Sequence, residues 1–201
     1  MLKMTKTKRM LIAILLGCVV MFTWGGLSHL LIFIGSGFTP LPNEDKVMET
    51  LRSSLPEKGL YFFPGKDFRH STPGEEAAFE KKFRSGPVGI LVYRPVGGSP
   101  ISAGKLLTQL ISNFISVWAA AFITSLIAAS YWKRVGVVTL LGGLSCIAVS
   151  MIYWNWYEFP NSFFLAQVAD MLIGFFLVGL IVARIVPLPK LPGDFVAHNQ
   201  V

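Results

Sequence analysis

Asp170 is the one acidic side chain inside any of the chain's long apolar runs, and it shares a predicted helix face with Gln167 and Gly174. A carboxylate at the centre of a hydrocarbon layer costs about 3 kcal/mol even on insertion scales, so such a group normally faces protein or water. With Asn113 and His29 it could hold a proton or a polar ligand, because an imidazole changes charge near neutral pH. The competing chemistry is structural: a hydrogen-bonded layer that fixes helix register or meets another chain. The residues favour this second reading.

Depth links further side chains to the same layer. His29, Gln109, Asn113, Ser150, Gln167 and Asp170 all lie within about eight residues of one end of their apolar runs, or about 12 Å at the rise of a helix. The opposite halves are almost entirely Leu, Ile, Val, Ala and Phe, with Thr124, Ser125 and Thr139 as mild exceptions. The six residues are therefore expected to form a one-sided buried polar layer without a polar path onward.

Other chemistry finds little support. His29 is the sole candidate for an axial haem ligand, and a bis-histidine site needs a second imidazole that no other apolar run contains. Lys66, Asp67, Arg69 and His70 precede Glu75, Glu76 and Glu80, but these acids read as first-turn charges and an i, i+4 surface pair rather than an acid-base couple. A phosphate-cradling glycine loop, a nucleophile elbow and a zinc-protease helix motif are all missing. The two cysteines, Cys18 and Cys146, sit in separate apolar runs and supply neither a disulfide framework nor a metal cluster. No catalytic residue, metal site or cofactor is nominated.

The elements that must position these groups follow from composition. At 53% hydrophobic and 14% charged residues, the chain departs from a soluble globular domain. Four runs are long enough to cross about 30 Å of hydrocarbon: 10–34, 106–132, 135–154 and 162–186. Basic residues then orient them. Lys3, Lys6, Lys8 and Arg9 precede the first run, Lys133 and Arg134 separate the second from the third, and Arg184 and Lys190 lie at and just beyond the end of the fourth. The positive-inside rule places these segments and both termini in the cytoplasm of a bacterial-type inner membrane, with residues 37–105 on the periplasmic side. The formal charge of +7 is spent on this topology and on anionic headgroups near Lys3 to Arg9, so nucleic acid is not an expected partner.

Two processing signals are set aside. The first run is longer than a secretory signal core and lacks a clear small-residue cleavage site. Leu15-Leu16-Gly17-Cys18 resembles a lipoprotein cleavage box, but Val19 to Phe22 continue the apolar run. The segment is expected to be an uncleaved signal anchor.

Residues 37–105 read as a small α/β domain. Asn43 is placed to cap a helix ending near Ser53, and Gly59 to Pro64 suits a strand. Thr72-Pro73-Gly74-Glu75 has the spacing of a capping box, and Gly86 to Pro95 suits a second strand. Helix, strand, helix, strand allows two parallel strands joined by a right-handed crossover. Without disulfides such a domain is marginal alone, and it is expected to rest on membrane, on the helices or on another subunit.

The expected architecture is a mainly α membrane protein: a basic N-terminus (1–9), a first spanning helix (10–36), the external domain (37–105), three more spanning helices (106–186) and a cytoplasmic tail (187–201). Small and polar residues line one stripe of each helix, such as Gln109, Asn113, Ser116, Ala120 and Thr124, so a four-helix bundle closing on these stripes is expected. Trp132, Trp154, Trp156, Tyr131 and Tyr157 read as interface anchors. The expected role is that of a non-catalytic accessory, scaffold or assembly subunit, with the bilayer and other membrane subunits or further copies as partners. The alternatives are a small transporter or sensor built around Asp170, and a membrane-embedded enzyme.

Overall fold

The computed structural model describes residues 4–32, 38–67 and 69–189. Lys3, the end of the first apolar run near Ile34, and the tail from Lys190 onward lie outside them. The described chain is mostly helical and divides into two compact units, residues 39–100 and the remainder.

The larger unit holds four helices, each long and apolar enough to cross a membrane. Helix α1 (Lys6–Gly26) starts at Thr5, whose hydroxyl accepts from the Lys8 backbone N–H, and continues as a π-helix over Leu27–Ile32. Helix α4 (Ala103–Ser125) starts at Ser102, whose hydroxyl accepts from the Lys105 N–H. Helices α5 (Tyr131–Trp156) and α6 (Asn161–Ile185) complete the unit. Both start signals are N-cap hydroxyls supplying a partner to an otherwise unsatisfied first-turn donor.

One boundary differs from the sequence expectation. The second apolar run was expected to be helical to Trp132, but α4 stops at Ser125, and Tyr131 to Arg134 form the first turn of α5. Leu126 and Ile127 close α4 with tight bonds to the carbonyls of Ile123 and Thr124. Lys133 and Arg134 therefore belong to a helix rather than a loop, and Arg134 is buried.

Helix α6 packs against both α5 and α1, and α1 also packs against α4, whereas the consecutive helices α4 and α5 share little contact. Glycine permits the closest approaches. A Cβ at Gly17 of α1 would lie 2.7 Å from Val117 of α4 and 3.6 Å from both Val178 and Val182 of α6. At Gly142 of α5 it would lie 2.6 Å from Phe175 of α6. The core fills the space around these points with Ala13, Ile14, Val117, Val138, Val178 and Val182. With no hydrophobic drive between helices in lipid, such close van der Waals packing is what holds them. The succession Arg9 to Ile185, Gly17 to Val178 and Trp24 to Asp170 shows that α1 runs antiparallel to α6, and Lys6 beside Ser125 with Cys18 beside Leu110 shows the same for α4. Lys6, Ser125, Tyr131 and Ile185 thus mark one end of the unit, the basal end, and Ile32, Ala103, Trp156 and Asn161 the distal end.

The smaller unit contains α2 (Glu44–Ser54), β1 (Gly59–Phe63), α3 (Pro73–Ser85) and β2 (Gly89–Tyr93). The capping box forms as its spacing implies: the Thr72 hydroxyl accepts from the Glu75 N–H, and the Glu75 carboxylate accepts from the Thr72 N–H. Asn43 occupies the cap position of α2 in a left-handed conformation, φ 52°, without a side-chain cap bond. The strands pair antiparallel, Gly59 opposite Tyr93 through Phe63 opposite Gly89, and not parallel as the element order suggested. A connection containing a 13-residue helix can return the chain in either direction, and here Gly86, at φ 65°, turns it back after α3. Tyr93 is the unit's one buried side chain among the described residues, and α2 buries none. Phe62, Phe79 and Phe83 form a ring cluster, with the Lys66 ammonium 4.6 Å from the Phe79 centroid.

Candidate functional site

The candidate site is built from three helices. Helix α6 carries Asp170 one turn before Gly174, and a Cβ at Gly174 would touch Trp24 and Met21 of α1. That shared face turns Asp170 toward α1, where the Trp24 indole N–H donates to the Asp170 backbone carbonyl at 3.1 Å. Asp170 as a residue is only 8% exposed, and its buried Oδ1 has no hydrogen-bond partner. Such an atom normally carries a desolvation penalty, so it marks a place where a donor or a proton belongs.

Asn113 of α4 is also buried, at 6% exposure, and its side-chain carbonyl accepts from the Gln109 amide at 2.9 Å. Ser150 of α5 is half-buried and lies 3.5 Å from the Cys146 sulfur. Gln167 is half-buried on α6. His29 and Gln109 differ from the expected buried layer, because both are exposed on the chain's own surface. The His29 Nδ1 pairs with the Ser28 hydroxyl at 3.0 Å, and the π-helical end of α1 carries the ring outward. The six residues thus do not close into one cluster within this chain. Asp170 and Asn113 are buried, Ser150 and Gln167 lie between, and His29 and Gln109 face outward.

The distal end is open over a longer stretch. Every residue of α4 from Ala103 to Ser112 is exposed, as is every residue from Met151 to Glu158 at the end of α5. Aromatic rings gather nearby: Tyr153 with Tyr157 and Phe159, Phe159 with Phe163, and Phe163 with Phe38, at centroid distances of 5.4 to 5.9 Å. The Trp154 indole N–H donates to the Asn161 side chain at 2.7 Å and ties α5 to α6.

The basal end shows two residues that sequence reasoning missed, because both had been assigned to orientation alone. Arg134 donates from Nη1 to the Ala183 carbonyl at 3.1 Å, and from Nη2 to the carbonyls of Val186 at 2.9 Å and Thr124 at 3.4 Å. Arg9 donates from Nε to the Ile185 carbonyl at 2.9 Å. Two guanidinium groups thus satisfy the last carbonyls of α6, where the helix dipole also favours cations. The available signal was the end of α6 itself, which has no glycine cap and runs into Pro187.

The polar cluster of the smaller unit is a surface network. Lys66 pairs with Glu76, His70 with Asp67, and Arg84 with Glu80. The backbone N–H of Arg69, foremost, holds the Asp67 carboxyl below its ordinary range, and that of Thr72 does so for Glu75. The Lys66 ammonium does the same for Glu76. These bonds favour the ionised form of each acid, which suits helix capping better than proton transfer. Among the described residues, no three His, Cys, Asp or Glu side chains come together as a metal site would require.

The fold defines a class: a mostly helical chain with four helices long and apolar enough to cross a membrane, and a small α/β unit between the first and second. Compared with protein-family models, curated proteins and solved structures, the chain finds no match.

Proposed function

We propose that the protein is a multi-pass component of a bacterial-type inner membrane that works without catalysis, as an accessory, scaffold or assembly subunit of a larger complex. One observation carries this reading: the exposed distal half of α4, ten consecutive exposed residues that include Gln109. Gln109 donates to Asn113, and the rest of its amide's hydrogen-bonding capacity is what a neighbouring helix can meet, since polar side chains serve as such glue between membrane helices. In this reading the basic residues at the basal end face the cytoplasm, the four helices form a transmembrane bundle, and residues 37–105 lie outside. Purification in a mild detergent, with identification of the chains that come along, tests it. A stoichiometric partner or a further copy is expected, and recovery as a lone monomer across several conditions contradicts it.

The unpartnered Oδ1 of Asp170 favours a second reading, a small transporter or sensor that binds a proton or a cationic ligand at the distal end. This reading expects Asp170→Asn, which keeps the shape and removes the charge, to abolish transport or response while thermal stability and expression stay at wild-type levels. An unchanged phenotype, or a variant that merely fails to fold, removes its support.

A further inference from the structure

A groove of about 740 Å³ opens along the basal half of the larger unit. Its walls are Leu11 and Ile14 of α1, Phe114 and Trp118 of α4, and Leu188 beyond α6; Lys6 stands at its basal rim. From Lys6 to Ile14 the groove runs about 12 Å, and from Ser125 to Phe114 about 16 Å, at 1.5 Å per residue. One leaflet of hydrocarbon is about 15 Å thick, so the groove matches a leaflet in depth. Its apolar lining and leaflet-deep length suit a hydrocarbon chain.

Charge selects the headgroup. Of the seven Lys and Arg among the described residues of this unit, Lys6, Lys8, Arg9, Lys133, Arg134 and Arg184 lie at the basal end and Lys105 alone at the distal end, and the acids Glu158 and Asp170 belong to the distal half. Arg9 and Arg134 are engaged with the carbonyls of α6, but Lys6 is exposed and makes no ion pair among the described residues. Its flexible stem can lie along the apolar rim while its ammonium reaches the headgroup level. We infer that this groove is a binding site for an anionic phospholipid, with an acyl chain along Leu11, Ile14 and Trp118 and the phosphate at Lys6. Basic pockets between spanning helices bind acidic headgroups by this combination. The site is independent of the subunit reading, since it lies at the other end of the unit from the exposed face of α4.

Trp118 is half exposed and stacks on Phe122 with ring centroids 6.0 Å apart, so it is a reporter already in place. The full-length protein in mild detergent is mixed with phosphatidylglycerol or phosphatidylcholine, each brominated on its acyl chains, and quenching is compared with that of Trp118→Phe to isolate the Trp118 signal. Brominated phosphatidylglycerol is expected to quench Trp118 at several-fold lower lipid than phosphatidylcholine does. Lys6→Gln is expected to weaken this preference about fivefold, the worth of one basic residue near an anionic surface, and Lys6→Glu to abolish it. Equal quenching by the two lipids, or an unchanged preference in Lys6→Glu, overturns the proposal. So does native mass spectrometry that finds a polypeptide, rather than a retained phospholipid, displaced when Leu11 is replaced by tryptophan.

Discussion

Replacing Arg134 by alanine is expected to lower the thermal midpoint of the detergent-solubilised protein by on the order of 10 °C. The side chain is 4% exposed and donates to three carbonyls, those of Ala183, Val186 and Thr124, on two other stretches of chain. Hydrogen bonds to a charged donor contribute about 1.5–3 kcal/mol each, and buried carbonyls left without partners add a penalty. Competing against this is the cost of burying the guanidinium, which its carbonyl partners and the negative end of the α6 dipole offset in part. A net loss of about 4 kcal/mol follows, and each kcal/mol shifts the midpoint of a chain this size by about 2–4 °C. Arg134→Lys should fall between, because an ammonium keeps the charge but cannot fork to three acceptors at fixed spacing. A midpoint for Arg134→Ala within 2 °C of wild type would show that the guanidinium is incidental.

Gly142→Val is expected to cost about 3 kcal/mol, a shift of about 6–12 °C on the same scale. A Cβ at Gly142 would lie 2.6 Å from the Cβ, Cγ and Cδ2 of Phe175. The Phe175 Cβ is fixed to the backbone of α6, so no rotamer change removes the clash and the helices must separate. Gly136 lies on the same helix with nothing within 4 Å of its would-be Cβ, so Gly136→Val is the control and should leave the midpoint nearly unchanged. Equal effects at the two positions would mean that helix propensity, not close packing of α5 on α6, sets the cost.

Both predictions concern contacts that the chain's pattern disclosed unevenly. The four apolar helices were legible because hydropathy summed over some twenty residues outweighs any local ambiguity. Asp170 and Asn113 lie buried on stripes that the helical period places inward, and the capping box at Thr72 is a local rule satisfied locally. The end of α4 was not legible. Leu126 to Ser130 contains neither glycine nor proline and stays largely apolar, so nothing in it marks a stop; the Thr124 carbonyl there accepts from the Ile127 N–H and also from Arg134 of the next helix. Strand direction was hidden for a related reason, since a long helical connection permits either sense.

His29 and Gln109 show a different limit. Spacing assigned them to the inward stripes, but spacing reports which residues share a face and not whether a neighbour within the same chain covers it. In α4 the buried residues all lie from Asn113 onward, whereas every residue from Ala103 to Ser112 is exposed among the described residues, although the polar stripe runs through both. A stripe that continues past its intramolecular partner is what a helix shared with another chain would need.

That interpretation is tested most directly by a photo-activated cross-linking residue placed at position 109 and irradiated in intact membranes. The account predicts a discrete covalent adduct to a polypeptide, either another membrane chain or a second copy of this one, at a yield that survives dilution of the expression level. Adducts to lipid alone would contradict it, because they would leave the Gln109 face with no protein to cover it.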